Sequence, residues 1–223
     1  MMCREKIRGG AWFALISGLA LLFAIESGLW ANEHRSGELK PGQGLIAHYY
    51  KDKKHWNGYW PEGESKPKGN PANFTFTRYA YTRKEPLINH LFIHRGWFSV
   101  RWEGWLDVPS PQKKDASDIN KVQVNFYIWA DDGCRLLIDG KIVIDSWGAA
   151  WERNLESHRM GSLQLAPGKH RIVVEYFQGP SLQRDDHDPM KLYWEIPACK
   201  IKKQVIPASH FSHDLENYIP KKH

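Results

Sequence analysis

The sequence predicts an all-β fold, an antiparallel β-sandwich or barrel with one N-terminal transmembrane or signal helix ahead of it. Three observations carry that expectation. From Ser99 onward apolar residues recur at every second position, the period of a half-buried strand. The turn dipeptides Asp139-Gly140 and Pro167-Gly168 punctuate the alternating runs. No stretch after residue 31 repeats with the 3.6-residue period of an amphipathic helix.

The elements follow in chain order. Arg4, Lys6 and Arg8 precede an apolar run from Ala11 to Ile25, which is the pattern of a charged n-region and an h-region. The excess of positive charge places the N-terminus in the cytoplasm and the rest across the membrane, in the periplasm or outside the cell. Trp12 and Trp30 stand 18 residues apart, and a helix of that length spans about 27 Å, near the thickness of a hydrocarbon core. Residues 1–31 therefore read as a retained single-pass anchor bounded by two interfacial tryptophans. A cleaved signal, leaving a secreted chain, is the alternative. Residues 32–43 are polar with Gly and Pro and read as a linker.

Leu45 to Tyr50 opens the folded region. Val100, Trp102, Leu106 and Val108 alternate with polar residues, as do Val122, Val124, Phe126 and Ile128. Ile172, Val174 and Tyr176 do the same, and so do Leu192, Trp194 and Ile196. Leu136–Ile138 and Ile142–Ile144 flank Asp139-Gly140 as a tight hairpin. Residues 198–223, rich in Lys, read as a basic tail that orders only against a partner.

Composition excludes several classes. With 223 residues, 42% hydrophobic and 25% charged, the chain is neither disordered nor large enough for many domains. Three cysteines are too few for a disulfide scaffold. The net charge of +6 comes from interleaved acids and bases without a Lys/Arg stripe, so no nucleic-acid partner is expected. Nucleophile elbow, phosphate loop, zinc-protease helix and dinucleotide fingerprint are all missing, and no enzyme activity is expected.

Against that background, Ser99-Val100-Arg101-Trp102-Glu103-Gly104-Trp105-Leu106 resembles the central strand of the protective-antigen fourteen (PA-fourteen) domain. The likeness continues through Ala130-Asp131-Asp132-Gly133-Cys134-Arg135, Val143-Ile144-Asp145-Ser146-Trp147, Leu165-Ala166-Pro167-Gly168 and Val174-Glu175-Tyr176-Phe177. It covers residues 44–197. The resemblance implies a non-catalytic β-sandwich of the kind found in toxins, adhesins and glycosidases, often binding carbohydrate. In its adhesin branch, paired aspartates joined by a cis peptide hold a calcium ion that receives sugar hydroxyls. Asp131 and Asp132 stand at those positions.

Each candidate residue also has a plainer reading. Asp131-Asp132-Gly133 is either part of an oxygen shell for calcium or a turn with Gly133 at positive φ. Asp185, Asp186, His187 and Asp188 form a second acidic cluster, a metal loop or a solvated one. His90 and His94 fall on one face of a strand, with no third zinc ligand in view. Cys134 and Cys199 form a possible disulfide in an oxidising compartment, or serve as two small apolar residues. Trp129, Trp147 and Trp151 are candidate ligand-binding rings, or cover for the sandwich edges. Two functions follow. One is an accessory subunit whose anchor helix and tail dock on an integral membrane protein complex within the lipid bilayer. The other is a calcium-dependent carbohydrate-binding module.

Overall fold

In the computed structural model the described residues are 41–53, 75–93, 96–111, 120–147, 159–179 and 187–214. All fall in one compact unit, Leu39–His223. Trp12, Trp30, the expected anchor, Trp151, His94, Asp185 and Asp186 lie outside the described residues. Among those described, no helix is long and apolar enough to cross a membrane.

Twelve strands are described: β1 (Leu45–Lys51), β2 (Arg78–Glu85), β3 (Asn89–Ile93), β4 (Phe98–Val108), β5 (Val122–Ala130), β6 (Gly133–Ile138), β7 (Lys141–Asp145), β8 (Met160–Leu165), β9 (Gly168–Gln178), β10 (His187–Ile196), β11 (Ile201–Val205) and β12 (Phe211–Ser212). They form two antiparallel sheets. The seven-stranded sheet runs β2-β1-β4-β9-β6-β7, with β12 added beside β4. The five-stranded sheet runs β11-β10-β5-β8, with β3 added beside β10.

The expected alternation is what closes the core. Leu45, Ala47, Val100, Trp102, Leu106, Leu136, Ile138, Ile172, Val174 and Tyr176 face inward from the larger sheet. Val124, Phe126, Ile128, Met190, Leu192, Trp194 and Ile196 meet them from the smaller one. Polar residues fill most of the alternate positions of the larger sheet, as one-sided burial requires. Asp139 (φ 50°) and Gly140 (φ 76°) take the two left-handed positions of the β6–β7 hairpin, as the dipeptide predicts.

A buried carboxylate ties the sheets together. Glu85, at the end of β2, accepts hydrogen bonds from Tyr49 Oη (2.5 Å), Arg83 Nε (2.5 Å) and Trp102 Nε1 (2.5 Å). His90 of β3, in the other sheet, brings Nε2 to 2.9 Å from Glu85 Oε2. His90 also stacks on Trp102 at 5.6 Å, so its role is inter-sheet packing. Burial alone would raise the Glu85 pKa. His90, Trp102 and Tyr49 outweigh it and hold the carboxyl down at about 2.

Two expectations change. Residues 200–214 are not a tail awaiting a partner. Strand β11 pairs with β10, and Ile206 and Phe211 are buried in the core. Strand β12 pairs with β4, and Gln43 bridges Ser212. Lys and His had masked an edge strand with only a few inward apolar residues. Cys134 and Cys199 are both free thiols. Cys134 is buried among core side chains, which pushes its thiol up to about 12, while the Cys199 Sγ donates to the Pro109 carbonyl. The two residues sit in different neighbourhoods, and no bridge joins them.

Gly104 makes room for β12. A Cβ there would lie 2.5 Å from the Ser212 carbonyl oxygen and 2.7 Å from Leu45 Cδ2. Gly104→Val should therefore cost about 1–3 kcal/mol of stability by overpacking and free β12; amide exchange at Phe211 and Ser212 together with urea unfolding reads both effects. The Glu85 pin has a pH signature. Because its folded pKa is depressed, its contribution of about 3 kcal/mol is complete above the unfolded value and is lost as pH falls from about 4.5 toward 2. In thermal melts the gap between wild type and Glu85→Gln should be wide at pH 6 and shrink steadily below pH 4.5.

Candidate cation site at the Asp131–Asp132 end

The chain crosses from the five-stranded sheet to the seven-stranded one in two residues. Strand β5 ends at Ala130, and β6 begins at Gly133. Between them the Asp131–Asp132 peptide is cis, as the family resemblance implies. The crossing is tied at both sides: the Asp131 amide donates to the Pro189 carbonyl of β10 (3.0 Å), and the Asp132 amide to the Phe177 carbonyl of β9 (3.3 Å).

The two carboxylates are held differently. Asp131 is exposed. Asp132 is mostly buried, and one of its oxygens accepts the Gly179 amide at 2.6 Å. Burial raises the Asp132 pKa most, and the charge of Asp131 adds to it; the Gly179 hydrogen bond works the other way, and Asp188 contributes a further push upward. Asp188 sits on β10, 3% exposed. The structure thus brings a member of the second acidic cluster toward the first, although the sequence separates them by 56 positions.

The backbone carbonyls of the pair are used on the inner side. The Tyr176 hydroxyl donates to the Asp131 carbonyl and lies 2.7 Å from Gln178 Oε1. Full burial, followed by the Asp132, Asp188 and Asp131 charges, raises the Tyr176 pKa well above its ordinary value, so it remains a donor. Arg159 Nη2 donates to the Asp132 carbonyl at 3.1 Å. The carboxylates alone are left to face a cation. Asp131 and Asp132 are hard oxygen donors whose mutual repulsion a divalent ion would relieve, which suits calcium. Among the described residues, no group of three His, Cys, Asp or Glu side chains is arranged to hold a metal.

Gly133 has a different reason from the one its turn context suggests. Its φ is not positive. A Cβ there would lie 2.1 Å from Phe177 Cε1, so only glycine lets the Phe177 ring cross the strand. That ring meets Trp147 edge-on at 4.8 Å. Trp147 is a correction: it is buried, stacked on Phe76 at 5.7 Å and capped by the Arg135 guanidinium at 5.2 Å. It packs under the site and offers no open ring face. Trp129 is 54% exposed, two residues before Asp131, with the Lys191 ammonium 4.9 Å above its ring.

Sequence reasoning missed Tyr176, Arg159 and Gln178. Tyr176 falls on the apolar parity of β9 and so reads as core. Its hydroxyl reaches the cation end only because β9 and the crossing meet there. Arg159 carries no sequence signal beyond its charge.

Two antiparallel sheets over an aromatic core, with an aspartate pair at the sheet-to-sheet crossing, define a sandwich module with its site at one end. Residues 121–208 match the family model of the PA14 domain. Anti-sigma-I factor RsgI3 of Acetivibrio thermocellus is 27% identical over 145 residues, which is 61% of this chain and 19% of that protein. An anti-sigma factor domain-containing protein from Clostridium clariflavum aligns with TM-score 0.52 and 22% identity, covering 81% of this chain and 49% of the other. The PA14 domain of the MpAFP antifreeze protein aligns with TM-score 0.50 and 13% identity, covering 80% and 96%. The chain therefore spans about a fifth of the curated relative it matches and about half of the anti-sigma structure. At these identities the solved structures share its fold.

Gly133→Ala should cost about 1–3 kcal/mol by forcing Phe177 against Trp147. Pairing it with Phe177→Leu should recover part of that loss. Urea unfolding of the four proteins in the double-mutant cycle gives the coupling.

Proposed function

We propose that the chain is a non-catalytic, extracytoplasmic recognition module that binds carbohydrate through a calcium ion at Asp131 and Asp132. The observation that carries this reading is the asymmetry of the pair: Asp132 is anchored by the Gly179 amide, and Asp131 faces solvent. One fixed and one outward carboxylate would hold the ion at the end of the sandwich and leave the rest of its shell to water and sugar hydroxyls. Calcium would supply a Lewis-acidic seat for vicinal hydroxyls. The protein groups do the positioning: Tyr176 and Arg159 occupy the backbone carbonyls, the Gly179 amide holds the Asp132 carboxylate, and the Asp131 carboxylate is left outward.

The charged n-region and apolar run of the first thirty residues support an extracytoplasmic location. Likeness to an anti-sigma factor, a regulatory protein, agrees with recognition in place of chemistry. The docking reading is weakened, because residues 200–214 belong to the sandwich and are not a spare interaction segment.

Millimolar calcium should raise the melting temperature of the full chain relative to EDTA. Ion at a hundredfold over its Kd contributes about 2.7 kcal/mol, or about 5–10 °C for a domain of this size. Asp132→Asn keeps an acceptor for the Gly179 amide and should abolish the shift. A glycan array probed with and without calcium then tests the sugar. Equal melting of wild type in calcium and in EDTA defeats the cation reading, and an empty array in both conditions defeats the carbohydrate reading.

A further inference from the structure

The outer face of the five-stranded sheet has a composition that the calcium end does not explain. Strand parity places Trp129 and Tyr127 of β5 and Lys191 and Tyr193 of β10 on this face. Lys191 lies opposite Trp129, and Tyr193 opposite Tyr127. Trp129 is 54% exposed and Met160, next to Tyr127 on β8, is 52% exposed. The outward positions of a solvated sheet are normally polar. Here three aromatic rings stand in adjacent rows on two neighbouring strands, Trp129 exposed and Tyr127 and Tyr193 half-buried.

The positive charges belong to the same rows. Lys191 Nζ stands 4.9 Å above the Trp129 ring. Lys203 Nζ stands 4.2 Å from the Tyr127 ring centre and 5.9 Å from that of Tyr193. The next row is a set of fixed acceptors. Glu195 Oε2 accepts from Tyr127 Oη (3.0 Å) and Asn125 Nδ2 (3.2 Å), while Asn125 Oδ1 accepts from Gln123 and Ser162. These side chains hold one another in place, so the face is ordered before any ligand arrives.

We propose that this face binds an acidic polysaccharide of the uronate class, laid across β5 and β10 and held without calcium. Sugar C–H faces would rest on Trp129, Tyr127 and Tyr193, as aromatic platforms allow. The ammonium groups of Lys191 and Lys203 lie over these ring faces in the free protein; a uronate chain would draw them aside onto its carboxylates and take their place on the rings. Glu195 and Asn125 offer acceptors to sugar hydroxyls. Glu195 repels any anion but can accept from a hydroxyl; a uronate chain carries free hydroxyls beside its carboxylates, whereas a DNA backbone carries none, which favours the hydroxyl-rich polyanion. The surface adjoins the Asp131–Asp132 end at Trp129 but uses neither carboxylate, and it stands whether or not that end binds calcium.

The test is a titration of the full chain with polygalacturonate oligosaccharides in EDTA, which also prevents calcium cross-linking of the polymer. Tryptophan fluorescence and calorimetry report binding. Neutral dextran oligosaccharides and single-stranded DNA serve as comparison ligands. Wild type should bind the uronate in EDTA, with affinity falling as salt is raised. Trp129→Ala should weaken it about tenfold, the scale of one lost aromatic contact. Lys191→Gln with Lys203→Gln should weaken it at least as much and flatten the salt dependence, and Asp132→Asn should leave it unchanged. The lysine pair lies on the sheet's outer face, outside the core, and keeps the test decisive if Trp129→Ala misfolds. Absence of uronate binding at millimolar ligand overturns the proposal. So does equal binding of dextran or DNA, or uronate binding that these variants leave intact.

Discussion

The pairing of β4 with β9 is the constraint on which the rest of the molecule depends. Eleven consecutive positions match, from Phe98 opposite Gln178 to Val108 opposite Gly168. On its other side β4 carries β1 and β12, and β9 carries β6. Trp102 and Tyr176 project from this ladder into the core, and both are fully buried. Both also end in a polar atom. The indole N–H of Trp102 meets Glu85, and the Tyr176 hydroxyl meets the Asp131 carbonyl. Large side chains of this type fill volume while delivering a donor to a distant point. One rigid ladder thus supplies the inter-sheet pin at one place and the inner support of the aspartate pair at another.

The aspartate end shows how a fold concentrates like charge. Asp132 is held by the crossing between the sheets and by the Gly179 amide, and the Asp131 backbone is tied to β10. Asp188 arrives on that same strand, buried. The protein meets this cost partly with donors, namely the Gly179 amide and the Arg159 guanidinium, whose own pKa is lowered by its burial. A backbone fixed in this way keeps the two carboxylates adjacent despite their repulsion.

Much of the sandwich was legible in the sequence because its central strands bury one face each. β4, β5, β9 and β10 each show the period-two pattern, and the resemblance to the PA-fourteen family runs through residues of β4, β6, β7 and β9. The edge strands were not legible. β2 reads Arg-Tyr-Ala-Tyr-Thr-Arg-Lys-Glu and β11 Ile-Lys-Lys-Gln-Val; an edge strand contributes few inward side chains and needs no strict alternation. The aspartate pair was visible as adjacent carboxylates, and Trp129 as an outward ring. Trp147 misled because it follows a hairpin, and parity says nothing of a residue past the strand end. Asp188, Tyr176 and Arg159 join the site through long-range pairing of β9 and β10 with the crossing, which no local pattern encodes.

Strand β12 continues the line of β1 along β4, and it brings the two ends of the domain together. Gln43 bridges Ser212, the Gly44 amide donates to the Phe211 carbonyl, and the His213 amide donates to the Gly42 carbonyl. A pull applied between residues 41 and 214 would be carried by this small patch of hydrogen bonds. The load would bypass the β4–β9 ladder, the Asp131–Asp132 crossing and the aromatic sheet face. The module is therefore built as a side branch: tension along a chain that enters and leaves here would pass its root and leave the aspartate end and the aromatic sheet face mechanically quiet.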